Sequence, residues 1–135
     1  MSNIHKGSCL CGTIEFEAEG SFDNFFLCHC KYCQKDTGSA HAANLFASDM
    51  KFKWLSGEGN IQSYRLPETR HTRSFCKTCG SAVPGVYSEG KLVVIPAGCL
   101  DTPVDIKPSA HLFIKSKANW DNNLESVSKL EGLPS

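Results

Sequence analysis

Cys28-His29-Cys30-Lys31-Tyr32-Cys33 places three cysteines within six residues. If the chain is extended as far as Cys30, Cys28 and Cys30 point to the same side, because side chains alternate along a strand. A tight turn over Cys30-Lys31-Tyr32-Cys33 then swings a third sulfur toward the first two. No fourth cysteine or histidine lies nearby at ligand spacing. A structural zinc takes four protein ligands, whereas a catalytic zinc keeps three and leaves a position free. The stretch therefore reads as an open metal site.

Five more cysteines share the 135-residue chain. Cys9-x-Cys11 and Cys76-x-x-Cys79 supply two sulfurs each, the composition of a closed four-thiolate zinc site. Gly80 follows Cys79, where a backbone free to take positive φ can finish the turn around the sulfur. A metal there pins the first strand to the middle of the chain. Disulfides do not suit these spacings: a Cys-x-Cys bridge closes a very short, strained ring, and clustered cysteines in a reducing compartment bind metal. The expectation is about two zinc ions per chain, one for each sulfur set. Cys99 is left over; it either closes the second site or packs as a small buried hydrophobe. His41, His71 and His111 are further possible ligands, while His29, between two cysteines, points away from them in an extended segment.

The sequence around these clusters reads as short strands. Thr13-Ile14-Glu15-Phe16-Glu17-Ala18-Glu19 alternates, with Ile14, Phe16 and Ala18 on one side and three glutamates on the other, a half-buried strand stopped by Gly20. Phe25–Leu27, Ala42–Phe46 and Lys51–Leu55 follow. Ile61–Leu66 and His71–Phe75 bracket a connection at Pro67-Glu68-Thr69, and Val83–Tyr87 and Leu92–Ile95 flank Ser88-Glu89-Gly90. Leu112–Lys115 is a late strand. Gln34–Gly38 has room for a single helical turn. From Asp121, the recurrence of Leu124, Val127 and Leu130 before Gly132 predicts a short C-terminal helix capped by Asp121. Short strands punctuated by Gly and Pro make residues 1–135 one mainly β domain.

Bulk properties remove several function classes. Lys plus Arg and Asp plus Glu are 14 each, and no long charge run or basic tail marks a nucleic-acid binder. The N-terminal Met1–Cys9 lacks the apolar core of a signal peptide. No run approaches the ~18 apolar residues of a membrane span. The location expected is the cytoplasm. Arg65, Arg70, His71, Arg73 and Lys77 form a modest basic cluster around the second cysteine pair. It is either a grip for an anionic substrate or a solvated strand face balanced by Glu68. Trp54, Trp120 and the eight phenylalanines are expected in the core.

If the second site has a free position, its chemistry is bounded. Zinc activates a bound water or thiol and polarises carbonyls. Three thiolates leave the site formally at −1, which favours a soft thiol partner over water activation.

Gly7-Ser8-Cys9-x-Cys11-Gly12, Cys28-His29-Cys30-x-x-Cys33-Gln34 with Gly38-Ser39, and Ser74-Phe75-Cys76-x-x-Cys79-Gly80-Ser81 together closely resemble the glutathione-dependent formaldehyde-activating enzyme (GFA) family, also called the CENP-V/GFA family. Gly98-Cys99-Leu100-Asp101 and Lys117-Ala118-Asn119-Trp120 look like its later landmarks, so the resemblance runs from about Gly7 to Trp120. It implies antiparallel sheets joined at a structural zinc, similar to the Mss4-like β-tent. It implies Cys9, Cys11, Cys76 and Cys79 as structural zinc ligands, Cys28, Cys30 and Cys33 as catalytic zinc ligands, and Cys99 as a non-ligand. The activity implied is a carbon–sulfur lyase type, joining a thiol, glutathione in the named enzyme, to formaldehyde. Small-molecule thiol and aldehyde partners follow from it; the charge balance and the lack of a long apolar run add the expectation of neither nucleic acid nor membrane. The rival expectation is a non-catalytic zinc module that binds a protein partner, as the Mss4-like fold permits.

Overall fold

The computed structural model describes residues 3–134. Met1 and Ser2, at the start of the stretch read for a leader, and Ser135, at the end of the expected domain, lie outside them. The fold is mainly β. Strands β1 (Ile4–Ser8), β2 (Glu15–Gly20) and β5 (Met50–Ser56) make one antiparallel sheet in the order β1-β2-β5. A second sheet has the order β10-β3-β4-β9-β8, from β3 (Asn24–Cys28), β4 (Ala42–Ala47), β8 (Gly85–Tyr87), β9 (Leu92–Pro96) and β10 (Ala110–Leu112). β6 (Ile61–Arg65) and β7 (Thr72–Cys76) form a separate antiparallel hairpin. One α-helix, α1 (Lys31–Thr37), sits between β3 and β4.

The alternation in β2 decides which way the first sheet faces. Ile14, Phe16 and Ala18 are fully buried, while Glu17 and Glu19 stand opposite Lys53 and Lys51 of β5. Opposite charges across neighbouring strands add a little pairing specificity. Phe16 and Ala18 pack with Phe22, Leu45, Met50, Val93 and Ile95, so the core lies where the first sheet meets β4 and β9. Trp54 lies against Phe16 and Phe52 at the edge of this core. A second, smaller apolar cluster gathers Ile14 and Val83 around Cys9 and Cys76. The seven cysteines of the two sulfur sets lie at or just beyond the ends of β1, β3 and β7 and in the first turn of α1, with Cys11 and Cys79 in the turns that follow β1 and β7.

Several elements depart from the sequence expectation. The chain turns fully helical from Lys31, because the Cys30 sulfur accepts the Cys33 N–H at 3.3 Å and so caps the first turn. The helix then stops at Gly38, which takes left-handed φ 66° and returns its N–H to the Gln34 carbonyl. β1 is an additional strand, and the late strand falls at Ala110–Leu112, where it runs parallel to β3 instead of antiparallel. The C-terminal helix does not form: Leu124–Ser126 is one 3-10 turn, and Leu124, Val127 and Leu130 are exposed. Residues spaced strictly by three fall behind the helical repeat by about 60° per step, so they build no stable stripe. Asn123, at φ 50°, breaks the run, and Asp121 faces His29 instead of capping it. Trp120 and Phe113 are likewise exposed, contrary to their expected place in the core. No helix among the described residues is long and apolar enough to cross a membrane.

Candidate metal centres and the adjoining cavity

The first centre is built by two tight turns. After β1, Gly12 N–H closes back on the Cys9 carbonyl and Cys9 N–H bonds Ile14. After β7, Gly80, at φ 75°, returns its N–H to Cys76 at 2.8 Å. Ser81 ties the turns together: its hydroxyl oxygen accepts the Leu10 N–H at 3.0 Å and lies 3.3 Å from the Cys79 sulfur. The sulfurs of Cys9, Cys11, Cys76 and Cys79 all lie within 4.8 Å of one another. Cys9–Cys11 is 3.7 Å and Cys11–Cys76 is 3.8 Å. Four sulfurs at ~2.3 Å from one tetrahedral zinc stand about 3.8 Å apart, so this donor set fits the ion in number, softness and size.

Hydrogen bonds prepare two of these sulfurs, Cys76 and Cys79, for the thiolate form that metals require. The Ser81 hydroxyl, and next its N–H, bring Cys79 down to about 5. The Cys79 N–H lowers Cys76. Asn60 Nδ2 also reaches the Cys76 sulfur at 3.3 Å. Burial raises Cys9, opposed by the Ile14 N–H on its sulfur.

The second centre lies at the junction of β3 and α1. Cys28 ends β3, Cys30 caps α1 and Cys33 is in its first turn, with their three sulfurs within 4.8 Å of one another. Among the described residues, no histidine, carboxylate or further cysteine joins the trio at that spacing. Cys99 packs instead beside the main core, and burial pushes its thiol up to about 12. Burial raises Cys28 and raises Cys33 strongly. Burial also presses Cys30 upward, but the Cys33 N–H and the neighbouring sulfurs outweigh it and the net shift is down.

The loop carrying these sulfurs is held from behind. His29 N–H bonds the Leu112 carbonyl at 2.9 Å. Gln34 Nε2 donates to the carbonyls of His29 at 2.7 Å and Ser116 at 2.8 Å. The His29 ring does point away from the sulfurs. It is buried, with Nε2 2.9 Å from His111 Nδ1 and Nδ1 3.5 Å from Asp121, and its ring lies tilted against that of His41, 5.1 Å between centroids. Parallel pairing of β10 with β3 brings His111 there, a pairing that sequence periodicity does not encode.

A cavity of 240 Å³ opens beside this centre, lined by Cys33, Asp36, His41, His71, Arg73 and Tyr87 among others. Cys33 and Asp36 share a face of α1 at i, i+3. Asp36 hydrogen-bonds His71 Nε2 through one carboxylate oxygen, and its other oxygen lies 3.7 Å from Arg73. Asp36 is thus the acid that balances this part of the basic cluster, in place of the expected Glu68. Lys77 instead reaches toward the Gly59 carbonyl, away from this group. Burial, and next the neighbouring His29, lower the pKa of His41. On the far side of Asp36, His71 and Arg73, an apolar groove is walled by Tyr32, Tyr64, Leu66 and Phe75.

Residues 4–116 match the profile of the family described as glutathione-dependent formaldehyde-activating enzyme. A solved protein from Rhodobacter sphaeroides is similar at 26% identity and a TM-score of 0.55, over 78% of this chain and 98% of that one. No curated protein matches.

Proposed function

Because this chain belongs to the glutathione-dependent formaldehyde-activating enzyme family, we propose that it is a zinc-dependent enzyme of carbon–sulfur chemistry. It joins a small thiol, with glutathione the thiol the family's name points to, to a small aldehyde such as formaldehyde, and cleaves the adduct in reverse. In this reading Cys9, Cys11, Cys76 and Cys79 hold a structural zinc, and Cys28, Cys30 and Cys33 hold the zinc of the reaction site. The observation that carries it is the contrast between four clustered sulfurs in one place and three, beside a cavity, in the other.

What zinc supplies when held by three ligands is Lewis acidity at the remaining position, which lowers a thiol's pKa and polarises an aldehyde carbonyl. The chain's own residues supply the rest. The Cys33 N–H donates to the Cys30 sulfur and favours its thiolate form. His41 is the proton carrier in this scheme: its lowered pKa leaves it neutral near pH 7, able to take the thiol proton. Sulfur attacks the aldehyde carbon, the carbonyl π pair moves to oxygen, and the proton passes from His41 to that oxygen. A hydroxyalkyl thioether results, with no atom or electron left over.

The test is to follow glutathione and formaldehyde by NMR exchange with the zinc-loaded protein. Adduct exchange should accelerate in proportion to enzyme concentration. No gain over the uncatalysed rate at several concentrations removes glutathione from the proposal.

A further inference from the structure

We propose that Arg73 is the specificity-determining residue of this site, anchoring a carboxylate on the substrate thiol. This rests on the reading of Cys28, Cys30 and Cys33 as an open, thiol-accepting centre, and it narrows the substrate class to thiols bearing a carboxylate a few bonds from sulfur.

Position comes first. Arg73 and Cys33 line the same cavity, whose 240 Å³ is below the ~300–1,000 Å³ usual for sites that swallow a drug-sized ligand. A thiol whose sulfur sits at the Cys33 end therefore brings its next few atoms against the Arg73 wall. The remainder of a larger thiol has the apolar groove beyond Arg73 to lie in.

Arg73 is held in place but not saturated. One terminal nitrogen donates to the Gly80 carbonyl at 3.1 Å, and the other stands 3.7 Å from Asp36. A guanidinium carries five N–H donors in a rigid fork, so most remain to be used. Asp36 is divided between two partners, with one oxygen committed to His71. It orients the fork without cancelling it. The β6–β7 hairpin as a whole carries three arginines, Arg65, Arg70 and Arg73, against the single acid Glu68, although the chain is neutral overall. Lys35 adds a further positive charge across the groove. Arginine binds a carboxylate through two parallel hydrogen bonds, a match of geometry as well as charge. The Arg73 side chain is 26% exposed, accessible to a ligand yet partly removed from the water that weakens surface ion pairs.

The experiment uses cobalt(II)-substituted protein, whose absorption reports thiol binding without turnover. It is titrated with 3-mercaptopropionate, 2-mercaptoethanol and cysteamine. The expected order of affinity is carboxylate first, neutral second, amine last, with about tenfold or more between the first two, as a charge-assisted hydrogen bond implies. Arg73→Met should bring 3-mercaptopropionate down to the level of 2-mercaptoethanol, and Arg73→Lys should keep part of the preference. Equal affinities for the three thiols in the unaltered protein overturn the inference while leaving the open centre intact, and this comparison does not depend on any variant folding. A preference that survives in Arg73→Met overturns it as well. If no thiol changes the cobalt spectrum, the open centre itself is wrong and the inference falls with it.

Discussion

Cys28 and Cys76 are chemically the same side chain placed under opposite demands. Cys76 is fully buried within an apolar cluster, and its sulfur clusters with those of turns that join the chain's beginning to its middle, a set that could hold a metal. Metal binding at such sites is worth ~10–16 kcal/mol in small zinc domains, against a net stability of ~5–15 kcal/mol. Cys76→Ser should therefore unfold the protein, seen as loss of the thermal transition. Cys28→Ser should abolish activity and keep that transition, since β3 remains tied to β4 and β10 on either side. His41 gives a second prediction at this scale. Its activity-bearing form is neutral, and its pKa is lowered, so the acidic limb of the pH–rate profile should fall below the usual histidine value of ~6.5. Stated by sign, activity is full above that lowered pKa and is lost as pH drops through it. His41→Gln should remove the limb and cost about 100-fold or more in kcat. Asp36 could have been found in the sequence as the residue three beyond Cys33 on a helix face, had Lys31–Thr37 been recognised as helix. The His29–His111–Asp121 contacts have no such signal, because they join residues far apart in the chain.

At the scale of elements, the helix and loop that carry the second sulfur set depend on Gln34. Its amide holds two carbonyls, one in the loop and one in the 3-10 turn Ile114–Ser116 that follows β10. Gln34→Leu strips both of their partner and should destabilise by about 1–3 kcal/mol. Hydrogen exchange should quicken first in the Cys28–Cys33 loop, which a thermal melt paired with exchange measurements can check. The same elements show what was legible beforehand. Strict alternation with charges on one side made β2 and β5 readable, and turn residues at Pro67-Glu68-Thr69 and Ser88-Glu89-Gly90 made two hairpins readable. α1 was hidden because its N-cap is a cysteine sulfur, a role that propensity assigns to Ser, Thr, Asp or Asn. The C-terminal helix was a wrong period: spacing by threes imitates a helix in sequence but does not hold one in space.

The whole molecule is two sheets packed across an apolar core, with a hairpin linked to the first of them at four sulfurs, and the division of seven cysteines into four and three was visible from spacing alone. The cavity beside the three was not visible, since its walls come from α1, β4, β7, β8 and β9 together. The two centres should also part with metal at different pH. In the first set Cys76 and Cys79 are lowered and Cys9 raised, while in the second Cys28 and Cys33 are raised and only Cys30 lowered, so on balance protons compete harder for the second set. On acidification, zinc should leave the Cys28, Cys30 and Cys33 centre first, with unfolding only at the second release; a chromogenic zinc indicator followed alongside circular dichroism resolves the order. The most direct measurement of the central claim is cadmium-113 NMR of the cadmium-loaded protein with and without added thiol. The expected result is two resonances of which one, absent in Cys28→Ser, moves when thiol is added, while the other stays. Two resonances that both ignore the thiol would mean a second centre already filled by the chain's own side chains, and would contradict a reaction site there.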